Sequence, residues 1–553
     1  MAEPVPTFSQ FACIGSGLSA IGLGATLKRW YGITDVRFFE RHSDLGGTWF
    51  ANKYPGGRNS SKEAILYSFS FAPNPSWSQT LAPAHEIWQY LNRVAQEYDL
   101  TRKVSFRSEV VRCEWVESTA RWRMHIRDLN KGERQVHECQ FLFSGTGVLT
   151  KPQPWDVPGA DTFQGLLFHS AQWPADLDVT GKRVVLVGNG CSALQIVPDI
   201  VAKTRRLSQF VRSKHWILPP SSNVPNTKAW QWAARNLPGV LKFFRVAIFV
   251  RIENEVRGFF MTQASQDFRR RTEAGAIEYI KTTAPAKYHD MLIPDFALGC
   301  KRRIPDPGYC RALHAENISV SDEAIVEVVP EGVRTKDGLV TEADVIILAN
   351  GFETNRNLAG IELVGRSGKT VEEHWADWGG PEAYNCCALS DFPNFFMILG
   401  PNAATGHTSA IIAAENTINY ALRIIKPVLD GEARFAEVRR EAEVEYSRKL
   451  QAALQKTVWQ SGCKSWYFKE DETGKKWNAT SYPYWQPRFW FDCFFPVYKD
   501  WEFPPTPAAG RLKASRRAYM VAKSALVFAA VLWTILRASD VRPMLWRMRS
   551  LGR

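Results

Sequence analysis

The pattern that most narrows the possible folds is a glycine turn that occurs twice. Gly15-Ser-Gly-Leu-Ser-Ala20 follows the apolar stretch Phe11 to Ile14, and Gly188-Asn-Gly-Cys-Ser-Ala193 follows Arg183-Val-Val-Leu-Val187. Each turn leads into a helical pattern, through about Trp30 and through Val201, and then into a second short apolar run. That is the strand–turn–helix–strand layout a dinucleotide needs. Gly15 and Gly188 make the tight turn, and Gly17 and Gly190 let backbone approach a pyrophosphate. Small Ala20 and Ala193 let the helix pack close, and the helix N-terminus faces the phosphates. Ser16, Asn189, Cys191 and Ser192 complete the two turns. The expected fold is α/β, with two Rossmann-like dinucleotide-binding domains.

The two units differ where it matters for the ligand. The second strand of the first unit ends in Glu40, twenty-five residues after Gly15. The matching strand of the second unit ends at Phe210-Val-Arg-Ser213, with Arg212 twenty-four residues after Gly188. A carboxylate accepts from ribose hydroxyls, whereas Arg212 with Lys214 nearby suits a 2′-phosphate. The first unit therefore reads as an FAD or NAD site and the second as an NADP site.

A chain of 553 residues exceeds one core and suits two or three domains. The net charge of +13 raises the question of nucleic acid. Residues 511–553 hold ten Lys/Arg against Asp540 alone, so the tail carries +9 and the body 13 − 9 = +4. The basicity belongs to the tail, which argues against a phosphate-binding groove. The ten cysteines form no CxxC pair and read as reduced thiols in a cytoplasm-facing protein. Met1 to Gln10 lacks the pattern of a signal peptide. In the tail, Ala518 to Leu536 holds nineteen residues with Lys523 as its one charge, flanked by Arg516, Arg517 and Arg537. At ~1.5 Å per residue this spans about 28 Å, just short of a ~30 Å hydrocarbon core. A membrane anchor is the leading reading, with an interface-lying helix and a packed helix as the others.

Domain limits follow from composition. Residues 1–150 form the first part of the first nucleotide domain, and Lys151-Pro-Gln-Pro-Trp-Asp-Val-Pro158 is a stiff connection. Residues 151–384 form the second, with 223–292 as a helix-rich insertion placed to cap a pocket. Asp344 to Gly351 reads as that unit's return strand. Residues 385–510 return to the first domain, with a strand near Phe395 and a loop-like, aromatic stretch at 455–500.

Between the units lies Phe163-x-Gly165-x3-His169-x3-Trp173-Pro174. Together with Gly46-Gly-Thr-Trp49, Tyr54-Pro-Gly56, Gly299-Cys-Lys-Arg-Arg303 and Gly400-Pro-Asn402, this resembles the flavin-containing monooxygenases, and among them the fungal Baeyer–Villiger monooxygenases. The resemblance covers roughly residues 10–505. It implies FAD and NADPH as cofactors, and oxygen insertion from O2 beside the carbonyl of a hydrophobic ketone in secondary metabolism. It implies that Gly47, Thr48, Trp49 and Tyr67 lie by the flavin, and that Arg212, Ser213 and Lys301 hold the 2′-phosphate. Arg302 is implied as the catalytic arginine, and Phe163 to Pro174 as a linker coupling domain motion to cofactor position. No metal is implied. One departure bears on the reaction: the family's Asp soon after Tyr-Pro-Gly is replaced by Arg58-Asn-Ser-Ser-Lys62, with no acid until Glu63. N- or S-oxygenation, or a flavin protein acting only as an NADPH oxidase or tethered scaffold, are the competing readings.

Overall fold

The computed structural model describes residues 5–58, 64–220, 227–354, 358–404, 406–463, 465, 467–470 and 476–510. Ser60, Glu63 and the whole tail from 511 lie outside the described residues.

Two sheets organise the chain. The larger has eight strands, with Thr7–Ile14 paired in parallel between Val36–Phe39 and Arg134–Ser144. Arg134–Ser144 also pairs antiparallel with Arg121–Asp128, which pairs with Ser108–Val116. The return strand Phe395–Met397 joins Arg134–Ser144 in parallel. Alternating burial along the antiparallel strands, as in Trp122, Met124 and Ile126, marks a sheet with one face packed and one wetter.

The smaller sheet is wholly parallel, in the order Ile318–Ser321, Arg206–Phe210, Arg183–Val187, Val345–Leu348, Leu166–His169. Its inner strand Val345–Leu348 is buried at every residue, as a parallel strand covered on both faces should be. Helices Leu18–Tyr31 and Cys191–Ile200 follow the two glycine turns. The insertion is helical, through Lys228–Asn236, Val240–Glu253 and Gln263–Thr283. Arg245 of the insertion donates to the Ile65 carbonyl and to Ser68, so the insertion packs on a loop of the first unit.

Three expectations are corrected. The Phe163–Pro174 stretch is not a free linker: Leu166–His169 is an edge strand of the parallel sheet, paired with Val345–Leu348. His169 Nδ1 accepts from the Ala171 N–H at 3.1 Å, which leaves Nε2–H to donate to the Gly351 carbonyl at 3.0 Å. Gly165 is required because a Cβ there would press on the Asp344 carbonyl and the Phe163 ring. Residues 455–500 are not all loop, since Gln486–Phe494 is a helix opened by Pro487. Its aromatic residues occur all round, which hid the helical period. Cys300 and Cys463 form a disulfide, a pairing across 163 residues that spacing alone does not reveal; the other eight cysteines are free.

Among the described residues no helix is long and apolar enough to cross a membrane. The apolar run Ala518 to Leu536 lies outside them.

Candidate functional site

The two turns are built alike. Gly15 has φ +97°, and a Cβ on it would lie 2.7 Å from the Gly145 carbonyl oxygen. Gly188 has φ +129°, and a Cβ there would collide with the Ala349 carbonyl oxygen. In each unit the return of a neighbouring strand closes on the first glycine. Ala20 and Ala193 are fully buried in their cores. Both helices start at a glycine, Gly17 or Gly190, and neither has a side-chain cap. Their first N–H groups are thus left facing outward for an anion.

In the first unit the Gly46-Gly47 backbone folds over the turn. Gly46 N–H donates to the Ser16 carbonyl at 3.1 Å, and a Cβ on Gly47 would be 3.0 Å from Gly17 Cα. Buried Glu40 accepts from Ser16 N–H at 2.9 Å, from Ser16 Oγ at 3.0 Å and from His42 N–H at 2.9 Å. A carboxylate offers about four acceptor positions, so one remains for a ribose hydroxyl beside the turn. Thr48 starts the short helix Thr48–Ala51, which presents Trp49. Trp49 Nε1–H donates to the Tyr67 hydroxyl at 3.1 Å, with the rings edge to face at 5.3 Å. Burial pushes the Tyr67 phenol up to about 12, against the Trp49 hydrogen bond and the charge of Arg302. Tyr67 is therefore a neutral phenol at physiological pH.

In the second unit, Gly190 has open space where a Cβ would go. Asn189 Nδ2 donates to the Ser213 carbonyl at 3.4 Å, and its Oδ1 is buried with no hydrogen-bond partner. Arg212 and Ser213 are exposed at the strand end. Lys301 Nζ donates to the Lys214 carbonyl at 3.4 Å. Burial, then repulsion from Arg212, holds Lys301 below its ordinary value, while Asp295 works the other way. Burial and then Lys301 push His215 down to about 4, and its Nδ1 is buried without a partner. Cations held near each other beside orphaned polar atoms fit a phosphate-bearing ligand, which would relieve the repulsion.

Arg302 joins the units. It interacts with Cys191 of the second turn, with Tyr467, and with Tyr67 beside Trp49. Burial opposes its charge, but these neighbours together outweigh that and hold it above the usual guanidinium value. A second bridge lies next to it. Ser192 Oγ donates to the Tyr54 hydroxyl at 3.3 Å, and Tyr54 donates to Gln195 Oε1 at 3.1 Å. Gln195 Nε2 donates to the Arg58 carbonyl at 3.0 Å. The first unit's Tyr54–Arg58 loop is thus laid on the second unit's helix.

Residues missed at the sequence level shape the surroundings of the arginine. Phe259 of the insertion stacks on Trp459 at 5.0 Å, and the Arg303 guanidinium lies 5.3 Å from the Phe259 ring centroid. His407 Nε2 pairs with Glu253 Oε2 at 2.9 Å, tying the loop after Gly400-Pro-Asn402 to the insertion. A surface pocket of about 410 Å³ beside Lys301 is lined by Asp295, Phe296, Ala297, Ser461, Gly462 and Cys463. A buried Glu–His pair gives no local sequence signal, and Tyr467 stands out only as one of many aromatics.

Glycine contacts yield a paired test. Gly188→Ala forces a methyl onto the Ala349 carbonyl in a left-handed conformation, a strain of order 1–3 kcal/mol before the clash. Its melting temperature should fall. Gly190→Ala meets no neighbour, so its melting temperature should hold while the KM for NADPH rises. Calorimetry and steady-state kinetics on the two variants separate these outcomes, and an unchanged KM in Gly190→Ala would place the pyrophosphate elsewhere.

Arg302 thus lies between the second glycine turn and the Trp49–Tyr67 pair of the first unit. Residues 9–231 match the family described as flavin-binding monooxygenase-like. A Baeyer–Villiger monooxygenase of Pseudomonas aeruginosa is 33% identical over 471 residues, covering 84% of this chain and 87% of its own. The FAD-binding monooxygenase tazF of Aspergillus terreus is 30% identical, covering 86% of each. The crystal structure of cyclohexanone monooxygenase from Rhodococcus sp. Phi1 bound to NADP+ superposes with a TM-score of 0.80 at 25% identity, over 91% of this chain and 100% of that one. The chain belongs to the flavin-binding monooxygenase-like family.

Proposed function

We propose that this protein is an FAD- and NADPH-dependent Baeyer–Villiger monooxygenase acting on a ketone carried by a hydrophobic small molecule. The observation that carries the reading is the position of Arg302, beside Tyr67 of the flavin-type unit and Cys191 of the NADP-type turn at once. The named activities of the relatives and the Phe163–Pro174 fingerprint support the same reaction. Overall, ketone, O2, NADPH and a proton give ester or lactone, NADP+ and water.

When bound, FAD and NADPH supply the reducing equivalents and the site of O2 activation. In this reading Glu40 accepts from the ribose, and the N–H groups after Gly17 and Gly190 bind the two pyrophosphates. Gly47, Thr48, Trp49 and Tyr67 border the flavin ring. Asn189, Cys191 and Ser192 border the second dinucleotide, and Arg212, Ser213 and Lys301 hold its 2′-phosphate. Arg302 stabilises negative charge that develops on the reacting oxygen atoms, and one such donor is worth about 2.7–4 kcal/mol. The aromatic packing of Phe259, Trp459 and Tyr467 excludes water nearby. We read 1–150 with 385–510 as the flavin domain and 151–384, including the 223–292 insertion, as the NADP domain, except that the strand Glu362–Val364, paired with Ser108–Val116 in the larger sheet, goes with the flavin side.

The test is product profiling. Purified yellow protein, NADPH and a panel of cyclic and aromatic ketones should give products heavier by one oxygen, with the label from 18O2 in the ring or ester oxygen. NADPH consumption with hydrogen peroxide as the sole product across the panel would instead identify an oxidase. Oxygen transfer to amines or sulfides alone would identify the N- or S-oxygenating alternative.

We propose further that the protein associates with a membrane through residues 518–536. Its support is the apolar run between two basic flanks.

A further inference from the structure

The helix Gln486–Phe494 turns the usual arrangement of a surface helix around. Its inward positions are Gln486, Phe489 and Cys493. Its outward positions carry the Arg488–Asp492 ion pair on one side and aromatics on the other: Trp490 is 49% exposed, Phe491 54%, Phe494 41% and, just past its end, Phe495 54%. They form one patch, with Trp490 stacked on Phe494 at 5.0 Å, Phe491 against Phe495 at 4.7 Å, and Phe494 against Phe495 at 4.8 Å. Exposed Tyr498 extends it and donates to the Arg423 carbonyl at 3.2 Å. The Arg423 guanidinium lies 4.6 Å from the Phe494 ring centroid and 4.9 Å from that of half-exposed Trp30. Scattered exposed apolar residues need no explanation, but a contiguous patch of large rings does.

The course of the chain says what covers it. Arg423 is in the last turn of the helix Ala410–Ile424. The final described segment docks just beyond that end, where Thr506 N–H donates to the Glu432 carbonyl and Thr506 Oγ1 to the Gly431 carbonyl. The last described residues, 506–510, therefore lie at the same end of this helix as the aromatic patch. Arg511, Lys513, Arg516 and Arg517 come first, then the apolar run from Ala518. Trp, Tyr and Phe beside Arg are the side chains that settle at the headgroup level of a bilayer, and a cationic segment between fold and apolar run matches an anionic leaflet.

We propose that the aromatic face of Gln486–Phe494, with Phe495 and Tyr498, is a membrane-contact surface seated in the headgroup–acyl boundary of a bilayer containing anionic lipid. This rests on the membrane reading of the tail. The contact orients the body on the membrane, where a hydrophobic ketone concentrates, and the tail supplies the tether.

A nitroxide attached to Phe491→Cys in the full-length flavin-loaded protein tests this, with unsubstituted protein as the labelling blank. The probe is phosphatidylcholine–phosphatidylserine vesicles, and the readouts are co-flotation and collision of the label with O2 against a water-soluble nickel chelate. The expected result is co-flotation with a several-fold rise in the O2-to-nickel collision ratio. Co-flotation with a label that stays fully accessible to nickel overturns the contact surface and leaves the tail reading standing. No flotation overturns both. A label already immobilised and shielded before vesicles are added shows that the tail or a second copy covers the patch, which also overturns the proposal.

Discussion

Arg302→Ala is expected to lower ester or lactone formation by about 10²–10³-fold while NADPH still reduces the bound flavin near the normal rate. The split follows from position. Arg302 lies between Tyr67 and Cys191, at the meeting of the two units, while the cations proposed to hold the 2′-phosphate are Arg212 and Lys301. Its loss removes a donor from the oxygen-transfer step more than from coenzyme binding. NADPH oxidation without product should persist, with the oxygen appearing as hydrogen peroxide. Arg302→Lys should recover little, because an ammonium keeps the charge but not the planar fork. Anaerobic flavin reduction followed by product analysis in air checks both halves. Ester formation at the normal rate in Arg302→Ala would remove the arginine from the chemistry.

Arg212→Ala is expected to raise the KM for NADPH by about 10–100-fold, the worth of one or two charge-assisted hydrogen bonds to phosphate, and to leave the KM for NADH nearly unchanged. A second consequence is electrostatic. Arg212 helps depress Lys301, so its removal should let Lys301 keep its proton to higher pH. In the parent protein the KM for NADPH should rise on the alkaline side as Lys301 loses its proton below the usual lysine range. In Arg212→Ala that rise should move to higher pH. Steady-state kinetics with both coenzymes across pH measures this. An equal loss with NADH would place Arg212 outside the 2′-phosphate site.

Much of this site is legible in sequence because its parts are local. A glycine with positive φ, a small residue five positions on and a charged residue ending the next strand all fall within about thirty residues, so both units can be read from spacing. The contrast of Glu40 with Arg212 is legible for the same reason. What escapes is whatever depends on residues far apart meeting. Tyr54 reaches Gln195, His407 reaches Glu253, and Cys300 reaches Cys463, and none of these pairs leaves a local trace. The fingerprint at Phe163–Pro174 is legible as a motif but not as a strand. Leu166–His169 is only four residues long, and its identity as a strand comes from the Val345–Leu348 ladder. The turn at Ala349-Asn-Gly351 works through backbone more than through side-chain identity. Gly188 is closed by the Ala349 backbone carbonyl, which any residue provides, while Asn350 Nδ2 is engaged with the Gln153 carbonyl at 3.1 Å.

The bond between Cys300 and Cys463 has a mechanical meaning. Cys300 is two residues from Arg302, and Cys463 follows the turn that holds Trp459. The intervening chain includes the return strands of both sheets, Val345–Leu348 and Phe395–Met397. Joining its ends makes that stretch a closed ring threaded through both units. The arginine segment is then leashed to the 457–463 turn, and it cannot swing away from one unit without carrying that turn along. Any displacement of the arginine segment must therefore carry the 457–463 turn with it, and a thiol reductant, by opening the ring, removes that covalent constraint.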